Sequence, residues 1–241
     1  MSDLRTALAD ALGPLYRVER EVRPIGEYRL FVATHLSPTD GPALLVKVLP
    51  AALSLGINDL QFERAVLLLA EALKHPNLVR PRGAGRVGAF VYHTRPWLPG
   101  TTLRAWIGNN GAVPLTRAVD IVRSALNGLA HAHAAGIAHG DLKAENILLA
   151  DEGVLVADTG IAAALGKPAT PRSDMAALQA LVREMLAGRR TTLREEPVER
   201  IRSLPSWFSE WMGFRWSDAG KALAGMRPPP PPSSQSSQLF A

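Results

Sequence analysis

The feature that most constrains this chain is a spaced set of polar residues in its second half. His139, Gly140, Asp141, Leu142, Lys143, Ala144, Glu145 and Asn146 run consecutively and lead into Ile147-Leu148-Leu149, and Asp158-Thr159-Gly160 follows twelve residues after Asn146. The set holds an Asp able to accept a hydroxyl proton, an Asn and a second Asp able to hold a metal ion, and a nearby Lys. Phosphoryl transfer from a nucleotide needs these groups, because the protein's work there is mainly positioning and neutralising charge on a metal-bound triphosphate.

At 241 residues the chain is long enough for one large domain or a two-lobed one, and 47% hydrophobic with 20% charged residues is a globular composition. There is no cysteine, so disulfides and thiolate metal sites are excluded. No apolar run reaches the length of a membrane span, and residues 1–17 have no apolar core of a signal peptide. The expected location is the cytoplasm. The net charge of +5 suits a nucleic-acid binder, but the basic residues are scattered and aromatics make up only 6%, so no nucleic-acid partner is expected.

Along the chain, Leu4, Leu8 and Leu12 have helical spacing. Two strands are predicted at about 16–22 and 28–35, and a third over 43–49 carries Lys47 among apolar residues. An unpaired buried ammonium is costly, so Lys47 either snorkels from an edge strand or serves a phosphate. Residues 58–74 are a helix with Phe62, Val66, Leu69 and Leu73 on one stripe, stopped by His75-Pro76. Strands follow at about 78–82 and 88–94. Between them, Gly83-Ala84-Gly85-Arg86-Val87-Gly88 fits a dinucleotide fingerprint, but no helix opens after it, so it reads as a hairpin turn.

Residues 95–100, with two prolines, divide a strand-rich half from a helical half. Helices are predicted from Thr102 to about 108, over 114–135, from a Ser173 cap to 187, and over 205–212 and 217–226, with short strands at 147–149 and 154–157. His131 and His133 diverge on their helix, so a zinc site with His139 is not expected. The tail from Arg227, rich in proline, serine and glutamine, is expected to be disordered or polyproline II.

The order H-x-D-L-x-x-x-N then D-x-G resembles the catalytic core of protein kinases, and over residues 14–226 the chain resembles a bacterial eukaryotic-type Ser/Thr protein kinase. Val46-Lys47-Val48 resembles the strand with the phosphate-binding Lys, and Lys74-His75-Pro76-Asn77 the turn after the regulatory helix. Val156-Ala157-Asp158-Thr159-Gly160 resembles the metal-binding strand exit, and Ser173-Asp174 leads a segment like the buried central helix. The resemblance implies an α+β, two-lobed fold: an N-terminal helix over 1–13, a β-rich N-lobe with one main helix over 14–94, a hinge over 95–100, a helical C-lobe over 101–226 and a tail over 227–241. It implies ATP and Mg as cofactors and a protein or small-molecule substrate, with a further protein partner possible for a scaffolding member. Asp141 would be the catalytic base and Lys143 a γ-phosphate contact. Gly26, Lys47, Leu98, Asn146 and Asp158 would surround the nucleotide, with Asn146 and Asp158 as metal ligands, and His139 would brace the loop.

The chain departs from that pattern in definite ways. Gly26 alone survives of the glycine-rich loop, whose backbone must approach phosphates closely. Ala65 or Val66 stands where a Glu should pair with Lys47, which would leave Lys47 without a fixed geometry. Leu45 and Arg95 would crowd the adenine pocket. Gly140 replaces an Arg and Thr159 a Phe, and only 16 residues separate Asp158 from Asp174, so most of the activation segment is missing. Gly140 is consistent with that loss, since the usual Arg reads a phosphate on the segment. Arg215 loses its expected partner. Two functions follow: an atypical ATP-dependent phosphotransferase, or a pseudokinase acting as a binding or scaffolding module.

Overall fold

A computed structural model describes residues 4–25, 27–37, 41–190 and 205–226. Gly26, the charged stretch 191–204 and the proline-rich tail 227–241 lie outside the described residues. In the N-terminal half, strands β1 (Tyr16–Ile25), β2 (Tyr28–His35), β3 (Leu44–Val48), β4 (Gly83–Val87) and β5 (Phe90–Pro96) form one antiparallel sheet in the order β1-β2-β3-β5-β4.

Alternation along these strands sorts their side chains. Phe31, Ala33, Leu44, Val46, Val48 and Tyr92 form one apolar face. Helix α1 (Leu4–Leu12) covers it through the fully buried Leu8. The opposite face carries Leu45 and Lys47 beside their cross-strand partners Arg95 and His93. Helix α3 (Asp59–Ala72), preceded by the single turn α2 (Ala51–Ser54), packs Phe62, Val66 and Leu69 into the core. The Asn58 side chain caps it, accepting from the Gln61 N–H at 3.0 Å.

The C-terminal half begins with a short three-stranded sheet, β6 (Gly100–Thr102), β7 (Ile147–Ala150) and β8 (Gly153–Val156). Helix α4 (Leu103–Asn110) follows β6 directly under a Thr102 cap. Helix α5 (Leu115–Ala134) is the central rod, with Ala118, Val122, Ala125, Leu126, Leu129 and Ala132 fully buried. The one-turn α6 (Ile161–Ala164), then α7 (Pro171–Ala187), α8 (Ser206–Gly213) and α9 (Ala219–Ala224), complete the lobe. The two halves share one apolar cluster running from Phe62 and Leu69 to Leu129 and Leu178. Backbone bonds from Val79 N–H to the Val156 carbonyl and from Val156 N–H to the Asn77 carbonyl pin the chain after α3 to β8. No helix among the described residues is long and apolar enough to cross a membrane.

Several sequence expectations are corrected. The glycine stretch is not a turn: residues 83–87 are strand β4, the turn falls at Gly88-Ala89, and 78–82 contributes only a bridge from Leu78 to Val156. Gly85 is tolerated in that strand because the Tyr92 side chain of the paired strand lies over it, and a Cβ there would meet the Tyr92 hydroxyl oxygen at 2.8 Å. Helix α7 starts two residues earlier than expected. Thr170 is its cap, Pro171 its first residue, and Ser173 closes the capping box.

Candidate active site

Residues 139–146 are held mostly by hydrogen bonds to their own backbone. The Asp174 carboxylate on α7 accepts from the His139 N–H at 2.7 Å, from the Gly140 N–H at 2.9 Å and from His133 Nε2 at 2.9 Å. It is 1% exposed. Burial alone would raise its pKa, but these donors hold it below the usual carboxylate range. His133 Nδ1 in turn accepts the N–H of Ala219, which fixes the first turn of α9 on the same post. His139 Nδ1 accepts the Asp141 N–H, so its proton sits on Nε2 and is donated to the Ala157 carbonyl at 3.0 Å. Burial pushes the His139 pKa down and keeps the ring neutral. The Asn146 amide donates to the Asp141 carbonyl at 2.8 Å, closing the loop. This scaffold leaves the Asp141 side chain 46% exposed, paired with Lys143 Nζ at 2.6 Å.

Across the cleft, Lys47 Nζ meets Asp158 Oδ2 at 2.6 Å, with both side chains under a tenth exposed. The Tyr28 ring lies 4.4 Å from the same ammonium. Arg95 Nε stands 3.9 Å from Asp158 Oδ1, and Arg95 Nη1 donates to the Pro96 carbonyl at 3.2 Å. Burial by itself would raise the Asp158 carboxyl. The Lys47 ammonium, which also donates a hydrogen bond to it, and the Arg95 guanidinium more than reverse that, so it lies far below the usual range. His93, 1% exposed, is pushed down to about 4 by burial, and its Nδ1 has no partner. Asp158 has φ 64, a left-handed conformation that short polar side chains tolerate best.

The short segment after Asp158 explains Gly140. Gly140 has φ 79, and a Cβ there would lie 2.8 Å from the Ala169 Cβ and 2.9 Å from the Ala162 Cβ. With most of the usual segment gone, α6 and Ala169 pack straight onto the loop and take the space an arginine would need. Gly160 is pinned in the same way, its missing Cβ standing against Leu69 of α3. Beside this packing, Tyr28, Lys47, His93, Asp141, Asp158 and Lys167 surround a cavity of only about 20 Å³, room for about one water. A separate cleft of about 650 Å³ opens toward the link 97–99, walled by Val22, Leu30, Leu45, Leu98 and Leu148, with Arg95, Arg104, Glu145 and Arg190 among its polar groups.

The structure thus brings Lys47, Asp141 and Asp158 around one small cavity, with Lys143 paired to Asp141 and Asn146 buried beneath the loop. It places Leu98 in the separate larger cleft; Gly26 lies outside the described residues. Lys47 does not lack a fixed geometry, because Asp158 replaces the missing α3 glutamate as its partner. Leu45 and Arg95 line the larger cleft and leave it open. Arg215 is exposed, with no ion pair among the described residues. His131 bonds the Ala72 carbonyl and His133 bonds Asp174, so the helix histidines are structural.

Tyr28, His93 and Lys167 were missed in the sequence. Alternation on β2 and β5 was the one available signal for the first two, since Tyr28 is two residues from Leu30, which pairs with Lys47, and His93 pairs with Lys47 directly. A magnesium ion would want hard oxygen ligands in open octahedral space. Asp158 and Asn146 are the right donor types, but Asp158 is flanked by two buried cations, and the adjoining cavity is too small for a hydrated ion. In this arrangement the residues do not fit one. Among the described residues, no group of three His, Asp or Glu side chains could hold a metal elsewhere.

Comparison with known proteins bears on the fold that carries these residues. A family model described as the protein kinase domain matches residues 49–193, which starts just after Lys47. The chain is 32% identical over 145 residues to the serine/threonine-protein kinase PrkC of Bacillus subtilis, covering 50% of this chain and 22% of that protein. It is 32% identical over 159 residues to the serine/threonine-protein kinase PknL of Mycobacterium tuberculosis, covering 54% and 40%. The chain therefore spans well under half the length of these relatives. The crystal structure of the M. tuberculosis PknI kinase domain superposes with a TM-score of 0.72 at 19% identity, covering 88% of this chain and 94% of that one. Rad53 residues 1–466 in complex with AMP-PNP superpose with a TM-score of 0.68 at 20% identity, covering 88% of this chain and 65% of that one.

Proposed function

The chain belongs to the protein kinase family, on its bacterial Ser/Thr side, and from that premise we propose that it is a kinase-like phosphotransferase moving the γ-phosphate of ATP to a hydroxyl. The observation that carries this reading is the Asp141–Lys143 pair: a half-exposed carboxylate, oriented by a buried hydrogen-bonded loop, beside a cation at 2.6 Å. The cleft of about 650 Å³ supplies an apolar slot for the adenine, bounded by Leu45, Leu98 and Leu148. In the transfer, the acceptor oxygen bonds the γ-phosphorus while the bond from that phosphorus to the β–γ bridging oxygen breaks. Asp141 takes the hydroxyl proton, Lys143 faces the charge on the moving phosphoryl group, and ADP departs. With the activation segment reduced to one helical turn, the usual peptide platform is missing, which favours a compact acceptor or a protein docked elsewhere.

The test is ADP release from ATP by the full chain, followed by coupled assay, against Asp141→Asn. General-base removal lowers a rate by about 10²-fold or more, so the variant should lose turnover while its melting temperature stays put. Equal rates in the two proteins would defeat the proposal. A pseudokinase reading draws on a different observation: Lys47 is committed to Asp158, and the α3 carboxylates Asp59 and Glu71 pair with Arg86, Lys74 and Arg80 instead. Nucleotide that stabilises the fold yet yields no ADP would decide for that reading.

A further inference from the structure

We infer that this chain binds a nucleotide polyphosphate without a divalent cation, Arg95 and Lys47 occupying the charge position at Asp158 that a metal would need. The inference rests on the nucleotide site proposed above and specifies how its charge is met. Three observations carry it. Both carboxylate oxygens of Asp158 face cations, Lys47 Nζ at 2.6 Å and Arg95 Nε at 3.9 Å. Both cations are built into the sheet: the β3–β5 register sets Leu45 against Arg95 and Lys47 against His93, so the two basic side chains emerge from one face on adjacent strands. They cannot swing away to water, since each is under a tenth exposed and Lys47 is capped by the Tyr28 ring.

The surroundings press the same way. Lys143 and Lys167 add positive charge near the small cavity, while Asp141 and Asp158 are the only acidic groups there among the described residues, so positive charge is in surplus before any ion arrives. A polyphosphate is drawn to that surplus and a divalent cation is repelled by it. Arg95 also lines the larger cleft, so one guanidinium faces both the adenine slot and Asp158. A guanidinium presents several fixed donors to phosphate oxygens, and on this arrangement it substitutes for metal charge.

The experiment is calorimetric titration of the full chain with ATP, once in excess EDTA and once in saturating Mg²⁺, repeated on Arg95→Met, with Mn²⁺ binding followed by electron paramagnetic resonance on both proteins. The wild type should bind ATP with dissociation constants within about threefold in the two conditions and show no bound Mn²⁺. In Arg95→Met, with one oxygen of Asp158 released, Mg²⁺ should tighten ATP by about tenfold and Mn²⁺ should register as bound. A melting curve shows that the variant is folded. Wild-type affinity that collapses in EDTA and returns with Mg²⁺ overturns the inference and leaves the nucleotide site standing. Absence of ATP binding in both conditions overturns the inference and the nucleotide site together. An Arg95→Met protein that still ignores Mg²⁺ overturns the role assigned to Arg95.

Discussion

On the side of residues 139–146, the Asp174 carboxylate and the His139 ring fasten the three consecutive backbone N–H groups of 139–141 and the Ala157 carbonyl, and the Asp141 side chain is left half exposed. On the sheet side, the charged groups are themselves the fastening: Lys47 and Arg95 both face Asp158, while the α3 carboxylates Asp59 and Glu71 pair with other residues. The first bank keeps a geometry independent of whatever occupies the cleft. The second has its charges folded into its own structure. A buried group satisfied by backbone donors leaves the side chain beside it free, whereas in a buried ion pair the charged groups are committed to each other, and removing one leaves the other uncompensated.

The largest blow to the comparison should be Asp174→Ala. It strips the acceptor from two backbone N–H groups and from His133, and buried donors left unsatisfied at ~1–3 kcal/mol apiece predict a loss of roughly 4 kcal/mol in chemical denaturation. A loss under ~1 kcal/mol would mean that the loop is not held from α7.

The sheet side is probed by pH. His93 is neutral when folded and titrates near 4, against 6.5 for the ordinary side chain. Because the unfolded chain binds the proton more readily between those values, stability rises with pH across that window and is lost as pH falls from 6.5 to 4. Two and a half pKa steps at ~1.4 kcal/mol each give about 3.5 kcal/mol. His139, also pushed down by burial, adds in the same direction. His93→Phe should flatten the slope of denaturation free energy against pH; an unchanged slope would show that this ring is not the source.

The smallest effect is Gly140→Ala. A left-handed φ costs ~1–2 kcal/mol for an alanine, and the clash with Ala162 and Ala169 adds to it, so a loss of roughly 2 kcal/mol in thermal melting is expected. A neutral outcome would show that α6 yields easily and that the loop side is not closed by packing.

Much of the architecture was legible in the sequence for local reasons. The helical stripe through Phe62, Val66 and Leu69, the long apolar face of α5, and the strand pattern around Lys47 each follow from a short-range period that burial enforces. The spaced polar set from His139 to Asp158 marked the site because structural demands fall mainly on apolar positions. The glycine stretch was misjudged because its meaning depends on the neighbouring strand. Gly85 needs only to leave room for Tyr92, and nothing within residues 83–88 announces a ring from across the sheet. Thr170 and Ser173 are both good cap residues, and Pro171 between them was the local signal that favoured the first.

By itself, then, the sequence determined the two-lobed kinase-like plan and the identities of Lys47, Asp141, Asn146 and Asp158, since motif spacing and hydrophobic period are local and burial makes them strict. Only the tertiary structure decided which groups these residues meet. Lys47 and Asp158 are 111 positions apart, and their pairing depends on how the sheet half packs against the helical half. Arg95 beside Asp158 depends on the same packing, and Ala162 and Ala169 in the space above Gly140 depend on the short segment after Asp158. Charge and volume interact through space, and neither the register between distant strands nor the packing of a shortened segment is written in any one stretch of the chain.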